Sequence, residues 1–278
     1  MDLYTEKEGY RMSDFTVNPR HPNNLAWFEI DLSDKTIDYL WKISNKAKKR
    51  INNEWKHRLA GNITQSYRLI DENNYFWKTV LYQLTNEIYN NNGKKHVDVN
   101  PYIDNNTDIL GDKSREVNHL LGDKPRLIPY LRDFWVNYQY KHEFNPKHDH
   151  SGVYSFVIWM KIPYTYEEQS NLDFQKGLKR IDKKAGMFEF YYYDILGRQV
   201  THMYEVDKEF EGRMVFFPSK LSHQVYPFYN SDDERVSISG NIWLKNASLE
   251  EYEDYVNEHE NIAKQSTKSV LKELGISL

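Results

Sequence analysis

The sequence predicts a mainly β fold, a sandwich or jelly roll, with helices on either side of the β region. Between about residues 132 and 245, apolar residues either alternate with polar ones or form short unbroken runs, as they do in strands. At least six such segments follow one another, and turn signals such as Gly197 and Pro218 separate them. Many short strands with little helix between them are typical of sandwiches and jelly rolls.

Residues 1–125 are predicted to form a mostly helical region that packs on the β core. Ser33 and Asp34 can begin a helix in which Ile37 and Leu40 share one face. A second helix is predicted after Asp71, where apolar residues recur at spacings of three and four. The Asn-, Asp- and Gly-rich stretch NNNGKKHVDVNPYIDNNTDILGDK then predicts a long loop.

The β core is assigned to residues 126–246, and one polar stretch interrupts it. Residues 164–185 are rich in lysine and lack strand periodicity, so they are predicted to be an insertion and a lid over the mouth of a site. The predicted strands lie on both sides of this insertion: 134–141, 153–162, 187–193, 201–206, 213–217 and 235–245. Residues 247–278 predict a C-terminal helical segment, in which Ser248 and Glu251 have the spacing of a capping box.

Composition excludes several classes of site. The chain has no cysteine, so disulfides, zinc–thiolate sites, iron–sulfur clusters and cysteine nucleophiles are impossible. The formal net charge of -4 gives no support for a nucleic-acid partner. The first ten residues are charged and no apolar run approaches the ~20 residues that cross a bilayer, so no membrane partner is expected. A cytoplasmic location is therefore predicted.

Two histidines two residues apart suggest a metal site. In the segment HEFNPKHDHSG, His148 and His150 directly precede the apolar strand that begins at Val153. Side chains two apart in extended chain point to the same face, so both imidazoles can reach one ion while Asp149 points away. A third ligand from a distant strand would complete a site with open positions for substrate and oxygen.

A third histidine and an arginine follow later in the β region. His223 comes after the strand that ends at Pro218, at the start of the next predicted strand. Arg235 follows twelve residues later, with Ser237 on the same strand face. A guanidinium and a hydroxyl on one inward face suit a carboxylate, because Arg offers a planar fork of donors. Each of these residues alone is common in structural roles, but their order along the chain is a far more specific signal of a metal and carboxylate site than any one of them.

The order resembles that of the 2-oxoglutarate- and Fe(II)-dependent oxygenases, which carry His-x-Asp/Glu, a distal His and Arg-x-Ser. The stretches FNPKHDHSGVYSFVIWMKIP and EGRMVFFPSKLSHQVYPF, with ERVSISGNIWL, resemble a microbial and phage-associated branch with His-x-His. The resemblance covers about residues 130–245 and implies a double-stranded β-helix, a cupin-like jelly roll. For a phage-encoded protein, the predicted location is the host cytoplasm.

The resemblance implies a role for each of these residues. His148, His150 and His223 match the metal and catalytic positions, and Arg235 and Ser237 match the positions that bind 2-oxoglutarate. The implied cofactors are Fe(II) and 2-oxoglutarate as co-substrate, and the implied reaction is hydroxylation of a small-molecule or peptidyl substrate.

The sequence departs from the family pattern at two positions. His150 stands where most members have an acid, which removes a negative charge from the ligand set. Asn145 stands where prolyl-hydroxylase relatives often have a Tyr that contacts 2-oxoglutarate, and Tyr138 or Tyr140 is expected to substitute for it.

Two other functions remain open at this stage. A jelly roll can serve as a non-catalytic binding or structural module, since the fold alone does not determine function. A cupin-type dioxygenase could use three histidines without 2-oxoglutarate, although Arg235 and Ser237 argue against it.

Overall fold

A computed structural model describes residues 10–11, 16–17, 27–88, 127–194, 196–258 and 261. Its strands are β1 Tyr10–Arg11, β2 Thr16–Val17, β3 Phe28–Asp31, β4 Gln65–Arg68, β5 Leu127–Gln139, β6 Asn145–His148, β7 Tyr154–Lys161, β8 Phe188–Tyr193, β9 Gln199–Tyr204, β10 Arg213–Pro218, β11 Ser222–Val225 and β12 Arg235–Asn246. Its helices are α1 Asp34–Lys48, a π-helical turn Trp77–Leu81 that continues into α2 Tyr82–Ile88, α3 Tyr166–Ser170 and α4 at 249–258. None of the helices in these ranges is long and apolar enough to cross a membrane.

The strands β5 to β12 form a jelly roll. The order β10-β7-β12-β5 lies within a six-stranded antiparallel sheet, and β6-β11-β8-β9 form a four-stranded one. Apart from the β8–β9 hairpin, successive strands therefore alternate between two sheets that face each other, which is the double-stranded β-helix. The predicted fold class is confirmed.

Two strands from the N-terminal region extend the larger sheet at its edges. β3 pairs with β10, and β4 pairs with β5, both antiparallel. Neither strand exceeds four residues, which is too short for an alternating pattern to stand out in the sequence. Within residues 1–125 the described part thus contains both helices and strands, and the predicted loop at 90–113 lies outside it.

The helices of the N-terminal region cover the outer face of the larger sheet. The Ser33 side chain caps α1 by accepting a hydrogen bond from the Thr36 N–H, as the sequence predicts. The Asp71 carboxylate accepts from the N–H groups of Phe76 and Trp77, at 2.9 and 2.8 Å, and so begins the second helix. Apolar residues of both helices and of the sheet form one buried cluster that includes Leu40, Ile43, Phe76, Leu81, Phe134, Val136, Phe156, Ile158, Phe216 and Ile238.

The C-terminal helix begins as its sequence predicts. The Ser248 N–H donates to Glu251 Oε2 at 2.9 Å, and the Glu251 N–H donates to Ser248 Oγ at 3.1 Å. This reciprocal pair is a capping box, and it satisfies two backbone donors at the start of α4. Residues 259, 260 and 262–278 of the predicted C-terminal segment lie outside the described part.

Glu189 forms a buried ionic cluster on the outer face of the smaller sheet. Its side chain is only 1% exposed and accepts hydrogen bonds from the Tyr191 and Tyr226 hydroxyls, each at 2.6 Å, and from Lys184 Nζ. Burial alone would raise the pKa of Glu189, but these three hydrogen bonds and the Lys184 charge lower it below its ordinary value. The carboxylate therefore stabilises the pairing of β8 with β11, the strand that carries His223.

Glu189→Gln is expected to reduce the free energy of unfolding at pH 7 by about 1–3 kcal/mol, because it removes the charge from these hydrogen bonds. Since the pKa of Glu189 in the folded state is lowered, its stabilisation is present above the ordinary carboxyl value of 4.5 and is lost as the pH falls through the folded-state pKa. Urea unfolding should show a smaller difference in the free energy of unfolding between wild type and Glu189→Gln at pH 3 than at pH 7. Glu209→Gln changes an exposed residue and is the matched control. If the free-energy difference between wild type and Glu189→Gln did not depend on pH, the stabilising role of the Glu189 charge would be contradicted.

Candidate metal centre and adjoining cavity

Three histidines converge between the two sheets. His148 ends β6 and pairs directly with His223 of β11, so the two side chains lie side by side on the inner face. His150 follows in the next loop, and its Nε2 lies 3.2 Å from His223 Nε2. Ligand atoms of all three lie within 4.8 Å of one another. The structure therefore brings together the three metal residues proposed from the sequence.

Backbone carbonyls fix the orientation of two of these rings. His148 Nδ1 lies 2.7 Å from the Pro146 carbonyl oxygen, and His223 Nδ1 lies 3.0 Å from that of Leu221. A carbonyl oxygen only accepts, so each Nδ1 must carry the proton. The Nε2 lone pairs are then available to a metal ion, as in metal sites where an outer hydrogen bond sets the tautomer.

Burial favours the neutral form of all three imidazoles. Burial lowers the pKa of His150 to about 3, helped by the nearby His148 and Lys220 charges. Burial likewise lowers the pKa of His223 well below its ordinary value, with His150 and His148 adding to the effect, and it lowers that of His148. A neutral imidazole is the form that binds a metal, so no proton has to be displaced at neutral pH.

The donor set fits iron. Imidazole nitrogen is a suitable ligand for Fe(II), and three ligands on one side leave positions open for other groups. The intervening Asp149 is not a member of this cluster, because its carboxylate pairs with Lys220 Nζ at 3.0 Å. The site therefore holds three neutral ligands, where a His-x-acid motif would hold two neutral ligands and one anion.

A cavity of about 740 Å³ adjoins the three histidines. It lies between the sheets, and residues from β5, from β12 and from the segment 55–61 line it. The segment 55–61 is held at the rim by the neighbouring Asn62, whose N–H donates to the Phe144 carbonyl at 2.7 Å. A Cβ on Gly61 would lie 1.6 Å from Asn145 Oδ1, so a larger residue at position 61 would displace the Asn145 side chain.

The wall opposite the histidines is polar. Asn137, Ser237, Ser239 and Asn241 line the cavity from neighbouring positions of β5 and β12. Asn241 Oδ1 accepts from Ser155 Oγ at 2.8 Å. Such side chains can bind the oxygens of a polar co-substrate, and Ser237 is one of them.

Arg235 lies beyond this wall and is not among the residues that line the cavity. It is 3% exposed and makes five hydrogen bonds, all to neutral oxygens. Gln139 Oε1 accepts two of them, at 3.2 and 2.6 Å, and the others go to the Tyr164 hydroxyl and the carbonyls of Gly186 and Tyr226. Nε and Nη2, which could bind the two oxygens of a carboxylate, thus both donate to the single Gln139 oxygen.

The insertion packs near Arg235. Tyr164 is buried, and its hydroxyl donates to the Gly186 carbonyl at 2.8 Å. Residues of 164–185 do not appear among those that line the cavity, whereas residues of 55–61 do. In the described part of the chain, the rim of the cavity next to the histidines is therefore formed by 55–61.

Two expectations about tyrosines are wrong. Tyr138 belongs to the cluster under the helices, on the outer face of the sheet, where Lys48 Nζ lies 4.2 Å from its ring centre. Tyr140 also does not line the cavity. An outward side chain cannot reach a ligand between the sheets, so neither substitutes for a Tyr at position 145.

Sequence reasoning missed several residues of the cavity. Trp135 lies beside the metal site, with its ring centre 5.9 Å from that of His150. Trp243, Arg132 and Asp133 also line the cavity. The alternation along β5 places Trp135 and Asn137 on one face, which was a usable signal, but nothing in the sequence shows that this face is the inner one.

The chain was compared with known proteins. Residues 133–241 match the family model described as "Putative 2OG-Fe(II) oxygenase". These residues include all five positions singled out from the sequence: His148, His150, His223, Arg235 and Ser237. Among curated proteins, none matches this sequence.

Three solved structures are similar at low identity. A Pseudomonas putida prolyl-4-hydroxylase is 14% identical over 80% of this chain and 93% of that chain, with a TM-score of 0.41. A viral collagen prolyl hydroxylase from Paramecium Bursaria Chlorella virus-1, in its 2OG complex, is 15% identical over 78% and 94%, with a TM-score of 0.38. An oxidoreductase of the 2OG-Fe(II) oxygenase family from Burkholderia pseudomallei is 17% identical over 48% and 54%, with a TM-score of 0.28.

Proposed function

We propose that the protein hydroxylates its substrate with Fe(II) and 2-oxoglutarate, and the match of residues 133–241 to a 2OG-Fe(II) oxygenase family model supports this proposal. One observation carries the proposal: three imidazoles, two of them oriented by backbone carbonyls, meet at the wall of a cavity between the sheets. A binding module would have no need to place three desolvated histidines together in this way.

His148, His150 and His223 would hold the iron through their Nε2 atoms. When bound, Fe(II) would support the reaction of O₂ with 2-oxoglutarate and a substrate C–H bond, in which one oxygen atom forms the substrate hydroxyl and the other enters succinate as CO₂ is released. The carbonyls of Pro146 and Leu221 keep the His148 and His223 rings in the orientation that binds the metal.

Aromatic rings keep water away from the back of the site. Phe188, Phe190 and Phe217 surround the His223 ring, with centre-to-centre distances of 5.6, 6.1 and 5.0 Å. All three phenylalanines are fully buried. A dry wall of this kind strengthens the electrostatic interactions inside the cavity and restricts side reactions with solvent.

Ser237 and Arg235 would bind the carboxylate of 2-oxoglutarate that lies away from the iron. Ser237 already lies at the cavity wall. Arg235 would reach the ligand once the Gln139 side chain releases the guanidinium, and a charged oxygen would then replace a neutral one. A carboxylate carries a full negative charge and offers two oxygens to the guanidinium in place of the single Gln139 oxygen, which favours the exchange.

A second function has one observation in its favour. Among the described residues, no carboxylate belongs to the metal site, and neutral oxygens of the protein accept from all of the Arg235 donors. Both features would suit a cupin-type dioxygenase that uses three histidines and no 2-oxoglutarate.

An anaerobic titration separates these functions. Purified protein is titrated with Fe(II), with and without 2-oxoglutarate, while the visible charge-transfer band of the iron chelate is recorded. A band that requires both components supports the proposed function. Iron binding without a band favours the three-histidine dioxygenase, and the absence of iron binding rules out both.

Position 150 provides a prediction about the ligand set. His150→Asp is expected to bind Fe(II) at least 10-fold more tightly than His150→Ala, because a carboxylate is an iron ligand and its negative charge attracts the cation. Anaerobic equilibrium dialysis against Fe(II) measures both variants beside wild type. Equal Fe(II) affinities for the two variants would contradict the prediction, because a carboxylate at position 150 would then not bind the iron.

A further inference from the structure

A row of hydrogen-bonded polar side chains crosses the inner face of the larger sheet. This polar row runs from Asp133 on β5 through Asn241 on β12 and Ser155 on β7 to Ser219, which follows the end of β10. In the strand pairing, Asn241 lies directly opposite both Asp133 and Ser155. Asp133 and Asn241 line the cavity, whereas Ser155 and Ser219 are only 0% and 1% exposed. The row therefore begins at the cavity and ends in the protein interior.

The hydrogen bonds of the polar row all run in one direction. Ser155 Oγ donates its single proton to Asn241 Oδ1 at 2.8 Å. The 2.9 Å bond between Ser155 and Ser219 must therefore be donated by the Ser219 hydroxyl. Asn241 Nδ2 in turn donates to Asp133 Oδ2 at 3.2 Å. Each member thus donates toward the Asp133 carboxylate, and bonds in such a chain polarise and strengthen one another.

Ser219 holds the loop that carries His150. The His150 N–H donates to the Ser219 carbonyl at 2.9 Å, and the Ser219 N–H donates to the Val153 carbonyl at 3.0 Å. The loop between β6 and β7 is thus bound to Ser219 on both sides of Gly152. Because Ser155 fixes the Ser219 side chain, the polar row reaches the backbone of a metal ligand.

His150 depends on its backbone more than the other two ligands do. Backbone carbonyls orient the rings of His148 and His223. In the part of the chain that the structure describes, no carbonyl makes such a hydrogen bond to the His150 ring, whose Nε2 lies 3.2 Å from His223 Nε2. Two nitrogens that bind one ion at about 2.1 Å can adopt this separation. The position of the His150 backbone therefore decides whether the third ligand is in place.

We infer that Ser155 is a positioning residue for His150 and that the polar row supports this metal ligand from outside the site. Ser155 is not among the residues that line the cavity, so it acts through Ser219 and the loop. This inference rests on the proposed function, because it concerns a ligand of the same iron site.

Stability alone does not require a hydroxyl at position 155. The strand β7 is apolar from Phe156 to Met160, and Ser155 is fully buried at the beginning of this run. A buried hydroxyl costs free energy unless it is hydrogen-bonded, whereas an apolar side chain needs no such partner. A buried polar row that ends at the His150 loop therefore favours a role in the geometry of the metal site.

The test measures the affinity of wild type and variants for Fe(II) by anaerobic equilibrium dialysis. Ser155→Ala is expected to weaken Fe(II) binding about 10-fold, the lower end of the range for loss of an outer partner of a metal ligand. Ser66→Ala is the matched control, because its hydroxyl is equally buried and donates to Asn137 on the same cavity wall. It should bind Fe(II) within twofold of wild type. Wild-type affinity in Ser155→Ala, or equal weakening in Ser66→Ala, overturns the inference.

A double-mutant cycle shows whether Ser155 acts through His150. In the His150→Ala background the ligand is missing, so the addition of Ser155→Ala should change the Fe(II) affinity less than twofold. If the 10-fold weakening persists in that background, Ser155 supports the fold as a whole and the inference is overturned. If Ser155→Ala does not fold, Ser219→Ala decides the question in the same cycle, because it removes the neighbouring hydroxyl and keeps the backbone groups that hold the loop.

Failure of this inference can be told apart from failure of the proposed function. If wild type binds Fe(II) and forms the chelate band with 2-oxoglutarate, but Ser155→Ala binds Fe(II) equally well, only the positioning role is wrong. If wild type does not bind Fe(II), the proposed function itself fails and the positioning role falls with it.

Discussion

His223→Ala is expected to weaken Fe(II) binding by more than about 100-fold and to abolish 2-oxoglutarate turnover. Loss of an outer hydrogen bond to a metal ligand typically costs 10- to 100-fold in affinity, so loss of the ligand itself should cost more. The effect should be large here because His223 is 2% exposed, and its Nε2 lies 3.2 Å from that of His150, in the middle of the cluster. Anaerobic Fe(II) titration and succinate formation measure the two consequences.

The control for this variant is His202→Ala. His202 is an exposed histidine of β9, outside the three-histidine cluster, and its loss should leave iron binding within threefold of wild type. Circular dichroism of the metal-free proteins tests whether His223→Ala folds, since the variant also loses the hydrogen bond to Leu221. A folded His223→Ala protein that binds iron as tightly as wild type would rule out the proposed site.

Much of the metal site can be predicted from the sequence because its spacing is local. His148 and His150 are two residues apart, and this spacing alone brings them to one face. His150 nevertheless lies past the end of β6, in a loop where Gly152 has a φ of +103°. A Cβ at Gly152 would lie 2.6 Å from the Ile242 carbonyl oxygen, so the loop reaches the site only because this residue is glycine.

The rest of the site depends on pairings that the sequence does not reveal. The register that places His223 opposite His148 is set by two strands far apart in the chain. A β-bulge at Arg132, where the pairing of β12 with β5 skips one residue, is equally invisible, because no glycine marks it in the sequence of β5. Inner and outer faces of the larger sheet are both buried, one by helices and one by the other sheet, so alternation does not distinguish them.

Arg235→Ala is expected to reduce the free energy of unfolding by about 3–5 kcal/mol and to weaken 2-oxoglutarate binding at the same time. The buried side chain makes five hydrogen bonds, and its removal leaves Gln139 Oε1 and the carbonyl of Tyr226 without their donor. The cavity left by the missing side chain adds to the cost. Urea unfolding and the chelate band measure stability and binding separately.

Because Arg235→Ala changes both quantities, Arg235→Lys and Gln139→Ala are needed to decide what Arg235 does. The lysine variant retains a buried positive charge but lacks the planar fork, so it should bind 2-oxoglutarate at least about 10-fold more weakly. Gln139→Ala removes the neutral oxygen that occupies the guanidinium, and therefore should not weaken 2-oxoglutarate binding. If Arg235→Lys instead loses stability and binds 2-oxoglutarate like wild type, Arg235 is a structural residue of the jelly roll. The co-substrate carboxylate would then have to be bound by the polar wall of Asn137, Ser237 and Ser239, which already lines the cavity.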